Sequence, residues 1–201
     1  MSCVARIPFT IILLMVLIVA GIYGRTHMGP IDERVHGDFG HSPQLLSAGG
    51  VYRLITSPLL TAGGVRFYAS LVMLGIAVGW AELQFGFWKT LLVFVGIHLT
   101  TLLIMFGGIA LALSLIESHR GHLLWYARDV GPSAGYYGCL GLAITSLSPQ
   151  IRTVALVTII SILAIRLGWS AYHLPEEGRV LSADIAHLIA FPLGTLLWRW
   201  C

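Results

Sequence analysis

Charge is what this sequence lacks. Asp, Glu, Lys and Arg make up only 10% of its 201 residues, against 57% hydrophobic, and the mean hydropathy is +0.85. A water-soluble domain of this size needs far more charge to cover its surface, so that class is excluded. No Lys/Arg block is present and the formal net charge is only +3, which argues against a nucleic-acid partner. Cysteine is scarce too: Cys3, Cys139 and Cys201 have neither disulfide nor metal-ligand spacing. Cys201 is also not the fourth residue from the end, as a prenylation box requires. The eight histidines include no H-x-x-x-H pair. Metal-free chemistry with no cofactor is therefore expected.

What the chain does have is long apolar runs separated by clustered charge, the pattern of a polytopic all-α membrane protein. We read residues 1–201 as one membrane domain with six spans at about 7–23, 67–83, 90–115, 131–147, 151–167 and 183–198. The first run follows Arg6 and equally fits a cleaved signal segment. Residues 24–50 form a polar loop without strong periodicity, and residues 51–60 read as interfacial, with Tyr52 and Arg53 at headgroup level. Residues 117–129 form a charged loop that also holds Trp125 and Tyr126, and Pro192 predicts a kink in the last span.

The chain is organised around residues 129–141, which pass from a charged loop into an apolar helix with Ser133 at the crossing. Pro132 fits the first helical position and Gly131 a cap. Ser133 then sits in the first turn, where backbone N–H groups lack intrahelical partners and suit a developing oxyanion. Serine is equally at home at helix starts for structural reasons. Span counting adds a constraint. Spans two, four and six start on one side of the membrane, and Ser133 and His187 each lie a few residues inside, roughly 4–8 Å below the same surface. A serine and a histidine at matched depth on parallel helices are what a nucleophile–base dyad requires.

Neighbouring residues fit that reading. Tyr137 lies one turn deeper than Ser133 on the same face, placed either to stack under an imidazole or to pack as an ordinary aromatic. Ala183, Ala190 and Gly194 share a face with His187, a small-residue stripe that lets a second helix approach closely. Gly131, Gly135 and Gly138 face away from Ser133, towards a different neighbour. Asp184, one turn before His187, reads either as its orienting carboxylate or as a helix-start charge. His98, mid-span, reads as a functional group or as a core histidine bonded to backbone.

Gly131-Pro132-Ser133 with Tyr137 and Gly141, then Ala186-His187 with Ala190 and Gly194, resembles the rhomboid intramembrane serine proteases, whose motifs are G-x-S-G in the fourth span and A-H-x-x-G-x-x-x-G in the sixth. Tyr52-Arg53-Leu54-Ile55-Thr56 is similar to the family's W-R-x-x-T, and Glu82 with Gly86 and Lys89 to its E-x-x-x-G. The resemblance covers residues 52–198. It implies a six-span rhomboid-like bundle in which Ser133 is the nucleophile, His187 the base, and Tyr137 the aromatic on which the base stacks. It further implies transmembrane-helix proteins as substrates, the lipid bilayer as surroundings, and a site open to the extracytoplasmic side of the cell (inner) membrane. Most of the arginines fall on that same side, so positive-inside counting favours the opposite orientation.

The sequence departs from the family at four places. The H-x-x-x-N that helps bind the oxyanion reads Arg66 and Ser70, and two motif glycines are Ala134 and Ala190. Arg66 is a bulkier donor and Ser70 a shorter one, and loss of one oxyanion donor costs about 10²–10³ in rate. An active protease with remodelled oxyanion support and an inactive, helix-binding pseudoprotease are thus the two readings carried forward.

Overall fold

A computed structural model describes residues 6–116 and 118–197, apart from the Glu177 side chain. Among these residues the structure is helical, with two isolated bridges (Pro30 with Gly63, His41 with Asp129) and no strand. We label the helices α1 (Pro8–Tyr23), α2 (Glu33–Phe39), α3 (Pro43–Ser47), α4 (Val65–Phe85), α5 (Phe87–Leu115), α6 (His119–Tyr126), α7 (Ser133–Ile144), α8 (Pro149–His173) and α9 (Arg179–Leu196).

Four of these, α4, α5, α8 and α9, are long and apolar enough to cross a membrane. The expected spans 67–83, 90–115, 151–167 and 183–198 coincide with them, except that Trp198 lies outside the described residues. The six-span count is not reproduced. α1 has 16 residues, and the expected span 131–147 is a 12-residue helix. Twelve residues rise only about 18 Å, against a hydrocarbon core of about 30 Å. The reason is burial: Ala134, Tyr136, Cys139, Leu142 and Ile144 of α7 are all enclosed by neighbouring helices, so this helix has little surface to match to lipid. By contrast α8 carries exposed Ile151, Val154, Val157, Ile162 and Ile165, the apolar outer surface expected of a perimeter helix.

Glycine decides how α7 is held. A Cβ on Gly194 of α9 would strike the Gly138 backbone, and one on Gly141 would strike that of Phe191. On the other side, Gly135 and Gly138 abut Phe94 and Ile97 of α5, where a Cβ would come within 2.6 and 2.7 Å. Gly194 of the small-residue stripe on α9 thus packs as expected, and Gly135 and Gly138 do face another helix, whereas Gly131 does not: a Cβ there would meet Ser133 itself, at 3.9 Å, because the chain turns at this residue before the helix starts. Because Tyr137 meets His187 while Gly141 meets Gly194, α7 and α9 run parallel.

The segment 24–50 is less loop-like than its composition suggests. Asp32 caps α2 by accepting from Arg34 N and Val35 N, and Ser42 caps α3 by accepting from Leu45 N with Pro43 next. Residues 52–56 strap this segment down. Arg53 donates to the carbonyls of Gly37 and Gly40 at 2.8 and 2.7 Å, Tyr52 to that of Asp38, and Thr56 to that of Phe39. The expected loop 117–129 contains α6, capped by Ser118.

Glu82 fastens α1. Its carboxylate accepts from Phe9 N, Thr10 N and Thr10 Oγ1, each at 2.8 Å, in a position only 2% exposed. A carboxylate on the free amides of a helix start is favourable through both hydrogen bonding and the helix dipole. Glu82→Gln removes the charge and turns a donor towards these donors. We expect it to lower stability by about 2 kcal/mol, read as an earlier unfolding midpoint in detergent with Thr10→Val as a weaker companion. An unchanged midpoint would show that α1 is held by apolar packing alone.

Candidate active site

The start of α7 is built by its neighbours. His41 and Asp129 exchange backbone hydrogen bonds of 3.0 and 2.8 Å, and Gly131 N donates to Ser57 O at 3.0 Å. The chain then turns through Gly131 at φ +145°, a conformation L side chains avoid, and Pro132 takes the capping position. Ser133 is therefore the first helical residue, one place later than the expected start. The first intrahelical bond runs from Tyr136 N to Pro132 O, which leaves the amides of Ser133, Ala134 and Gly135 without an intrahelical acceptor. Ser133 is itself half-buried.

One turn deeper, the Tyr137 ring lies against His187 with centroids 4.3 Å apart and planes 32° apart. Tyr137 is thus in ring-to-ring contact with the imidazole, tilted rather than parallel to it. His187 is 8% exposed, and neither of its ring nitrogens has a hydrogen-bond partner among the described residues. Ser133 and His187 are thus brought to neighbouring levels of two packed helices, but no hydrogen bond joins them. Catalytic hydrogen bonds in empty sites are commonly long and shorten on binding.

Asp184 is more than a helix-start charge. It is 1% exposed, its Oδ1 lies 3.9 Å from His187 Nδ1, and the same oxygen accepts from Arg166 Nε and Nη2 at 3.1 and 2.9 Å. Its Oδ2 has no partner. The carboxylate is therefore bound to Arg166 and stands just beyond hydrogen-bond reach of the imidazole. Sequence reasoning missed Arg166, although an arginine inside the apolar run 151–167 was itself the signal. His98 is buried in α5 beside the Leu54 backbone, the neighbour the core reading calls for, with neither ring nitrogen in a hydrogen bond of normal geometry.

Arg66 and Ser70, expected to support an oxyanion, divide. Arg66, on the first turn of α4, forms a bidentate ion pair with Glu176 from the α8–α9 connection. Both side chains are about half exposed, and the guanidinium holds the Glu176 carboxyl below the usual carboxylate range. Arg66 is thereby engaged at the rim rather than left free as a donor. Ser70, one turn on, is buried on the same face.

Two titratable groups flank the entrance outside the spans. Burial, together with charge on His98, pushes the His41 imidazole down to about 3, and burial pushes the Asp129 carboxyl up to about 6 despite Val130 N donating to it at 2.8 Å. No protein-family model matches this chain, and no curated protein or solved structure is similar to it by comparison.

Proposed function

We propose that this membrane protein is a rhomboid-like intramembrane serine protease that cuts transmembrane helices with a Ser133–His187 dyad. The observation that carries the reading is the imidazole of His187 lying against Tyr137, one turn below Ser133 on the adjoining helix. In the reaction, Ser133 Oγ attacks the scissile carbonyl carbon while His187 takes its proton and then delivers it to the leaving amine. Water, deprotonated by the same imidazole, hydrolyses the acyl-enzyme and restores Ser133. The free amides at the start of α7 are the oxyanion donors closest to the nucleophile, with Ser70 as the side-chain donor left once Arg66 is committed to Glu176. The six-span bundle and the extracytoplasmic opening in the cell (inner) membrane belong to this same reading.

A second reading, a pseudoprotease that binds transmembrane helices without cutting them, is favoured by one observation: the Arg66–Glu176 pair occupies an oxyanion position. A fluorophosphonate probe separates the two, because it tests nucleophile activation without a natural substrate. Labelling of the wild-type chain in detergent is expected, with loss in Ser133→Ala and in His187→Ala. A folded wild-type chain that takes no label favours the pseudoprotease, and labelling that persists in Ser133→Ala removes Ser133 as the nucleophile.

A further inference from the structure

A hollow of about 700 Å³ opens on the Ser133-entrance face, away from the dyad, between α2, α6 and the start of α9. Its lining includes Arg128, Arg179, His36, His122 and Tyr126, with Glu33 as its one carboxylate. Two permanently charged guanidinium groups and two imidazoles therefore converge on a concave surface that holds a single opposite charge. Among the described side chains neither arginine is in an ion pair: Arg179 Nε donates to the Glu176 carbonyl at 3.4 Å, and its charge acts on the Asp129 and Glu176 carboxyls only from beyond ion-pair distance.

The convergence is built into the fold. Gly37 in α2 presents bare backbone to Arg128, whose Nη1 would stand 3.4 Å from a Cβ there. Gly178, at φ +87°, packs on Leu123 of α6 and so sets the first residue of α9, Arg179, over the same hollow. Burial first, and then the charges of both arginines, hold the His36 imidazole below its ordinary value. Like charges assembled in this way repel unless an anion sits among them.

The depth of the hollow narrows the anion. α6 carries Trp125, stacked on Phe106 of the span α5 at 5.9 Å, and the exposed Tyr126 that lines the hollow. Tryptophan and tyrosine on a short helix beside a span mark the headgroup level of a bilayer. Guanidinium forks match phosphate oxygens, and each cation at this level adds to attraction for anionic lipid. We infer that the hollow lined by Arg128, Arg179, His36 and His122 binds a phosphate group at the membrane interface, that of an anionic lipid headgroup or of a free phosphate. This inference is independent of the protease reading.

The test purifies the full chain in mild detergent with a fixed mixture of phosphatidylglycerol and phosphatidylcholine and measures retained lipid by native mass spectrometry. Wild type is expected to retain phosphatidylglycerol selectively. Arg128→Gln/Arg179→Gln should lose about tenfold of that selectivity, while Arg25→Gln/Arg34→Gln, which removes two charges from outside the hollow, should keep it. Monodispersity and helix content establish that each variant is folded, and the single variants Arg128→Lys and Arg179→Lys, which keep the charge, should retain most of the effect. A parallel arm titrates inorganic phosphate against the thermal midpoint. A midpoint rise that the double glutamine variant abolishes, without lipid selectivity, assigns the site to free phosphate. Equal lipid retention and equal midpoint response in wild type and the Arg128→Gln/Arg179→Gln chain would overturn the inference.

Discussion

Arg166→Ala is expected to destabilise the bundle by about 3 kcal/mol, whereas the double change Arg166→Met/Asp184→Asn should return most of that loss. Removing one partner of a buried ion pair leaves an uncompensated charge, which costs about 3–5 kcal/mol, and replacing both partners is often neutral. The lower end applies because the Arg166 side chain is 54% exposed while Asp184 is 1% exposed. Asp184 already has one oxygen without a partner, so loss of Arg166 leaves the whole carboxylate unmatched beside His187. The measurement is an unfolding midpoint in detergent for the four chains of the cycle. Additive losses would mean that the two side chains do not interact. The same variants bear on the dyad. With Oδ1 3.9 Å from His187 Nδ1, Asp184→Asn alone should slow probe labelling of Ser133 more than Arg152→Gln, a charge removal at the far end of α8.

That pair also shows where sequence reading stops. Arg166 and Asp184 are 18 residues apart, on two different helices, and nothing local couples them. The same holds for Glu82 and Thr10, 72 residues apart. The apolar runs were legible because lipid-facing helices must satisfy their own backbone. Span parity predicted one level for Ser133 and His187, and the structure puts His187 beside Tyr137, one turn deeper than Ser133. Tyr137 was legible too, since one helical turn separates it from Ser133. The length of α7 was not: an apolar run enclosed by other helices reads like one facing lipid, and only tertiary packing distinguishes them. The caps at Asp32 and Ser42 were readable signals, but the helices they start have 7 and 5 residues, too short for periodicity to appear.

The second large effect concerns pH, and it is expected to be hidden in the wild type. His41 and Asp129 pair through their backbones at the entrance and titrate with opposite linkage. His41 falls from 6.5 to about 3, so between those values the unfolded chain holds a proton the folded chain does not, and stability falls as pH is lowered. Asp129 rises from 3.8 to about 6, so there the folded chain holds the extra proton, and stability rises as pH is lowered. Between about pH 4 and 6 the two slopes cancel. Asp129→Asn removes one of them. Its stability should then drop by about 2.3 kcal/mol between pH 6.5 and 4.5, two pH units at about 1.36 kcal/mol each less the part lost because the unfolded imidazole is only half protonated at pH 6.5. His41→Asn should do the reverse and gain stability over the same interval. The other charged groups acting on the pair are His36 and His98 on His41, and Arg66 and Arg179 on Asp129. The arginines keep their charge throughout, so they shift both ends of the interval without reversing either slope. Unfolding midpoints for the three chains across pH 4.5–6.5 decide the matter. Parallel curves would mean that neither group is buried against its charged form, and the clamp that positions Ser133 would then rest on its backbone hydrogen bonds alone.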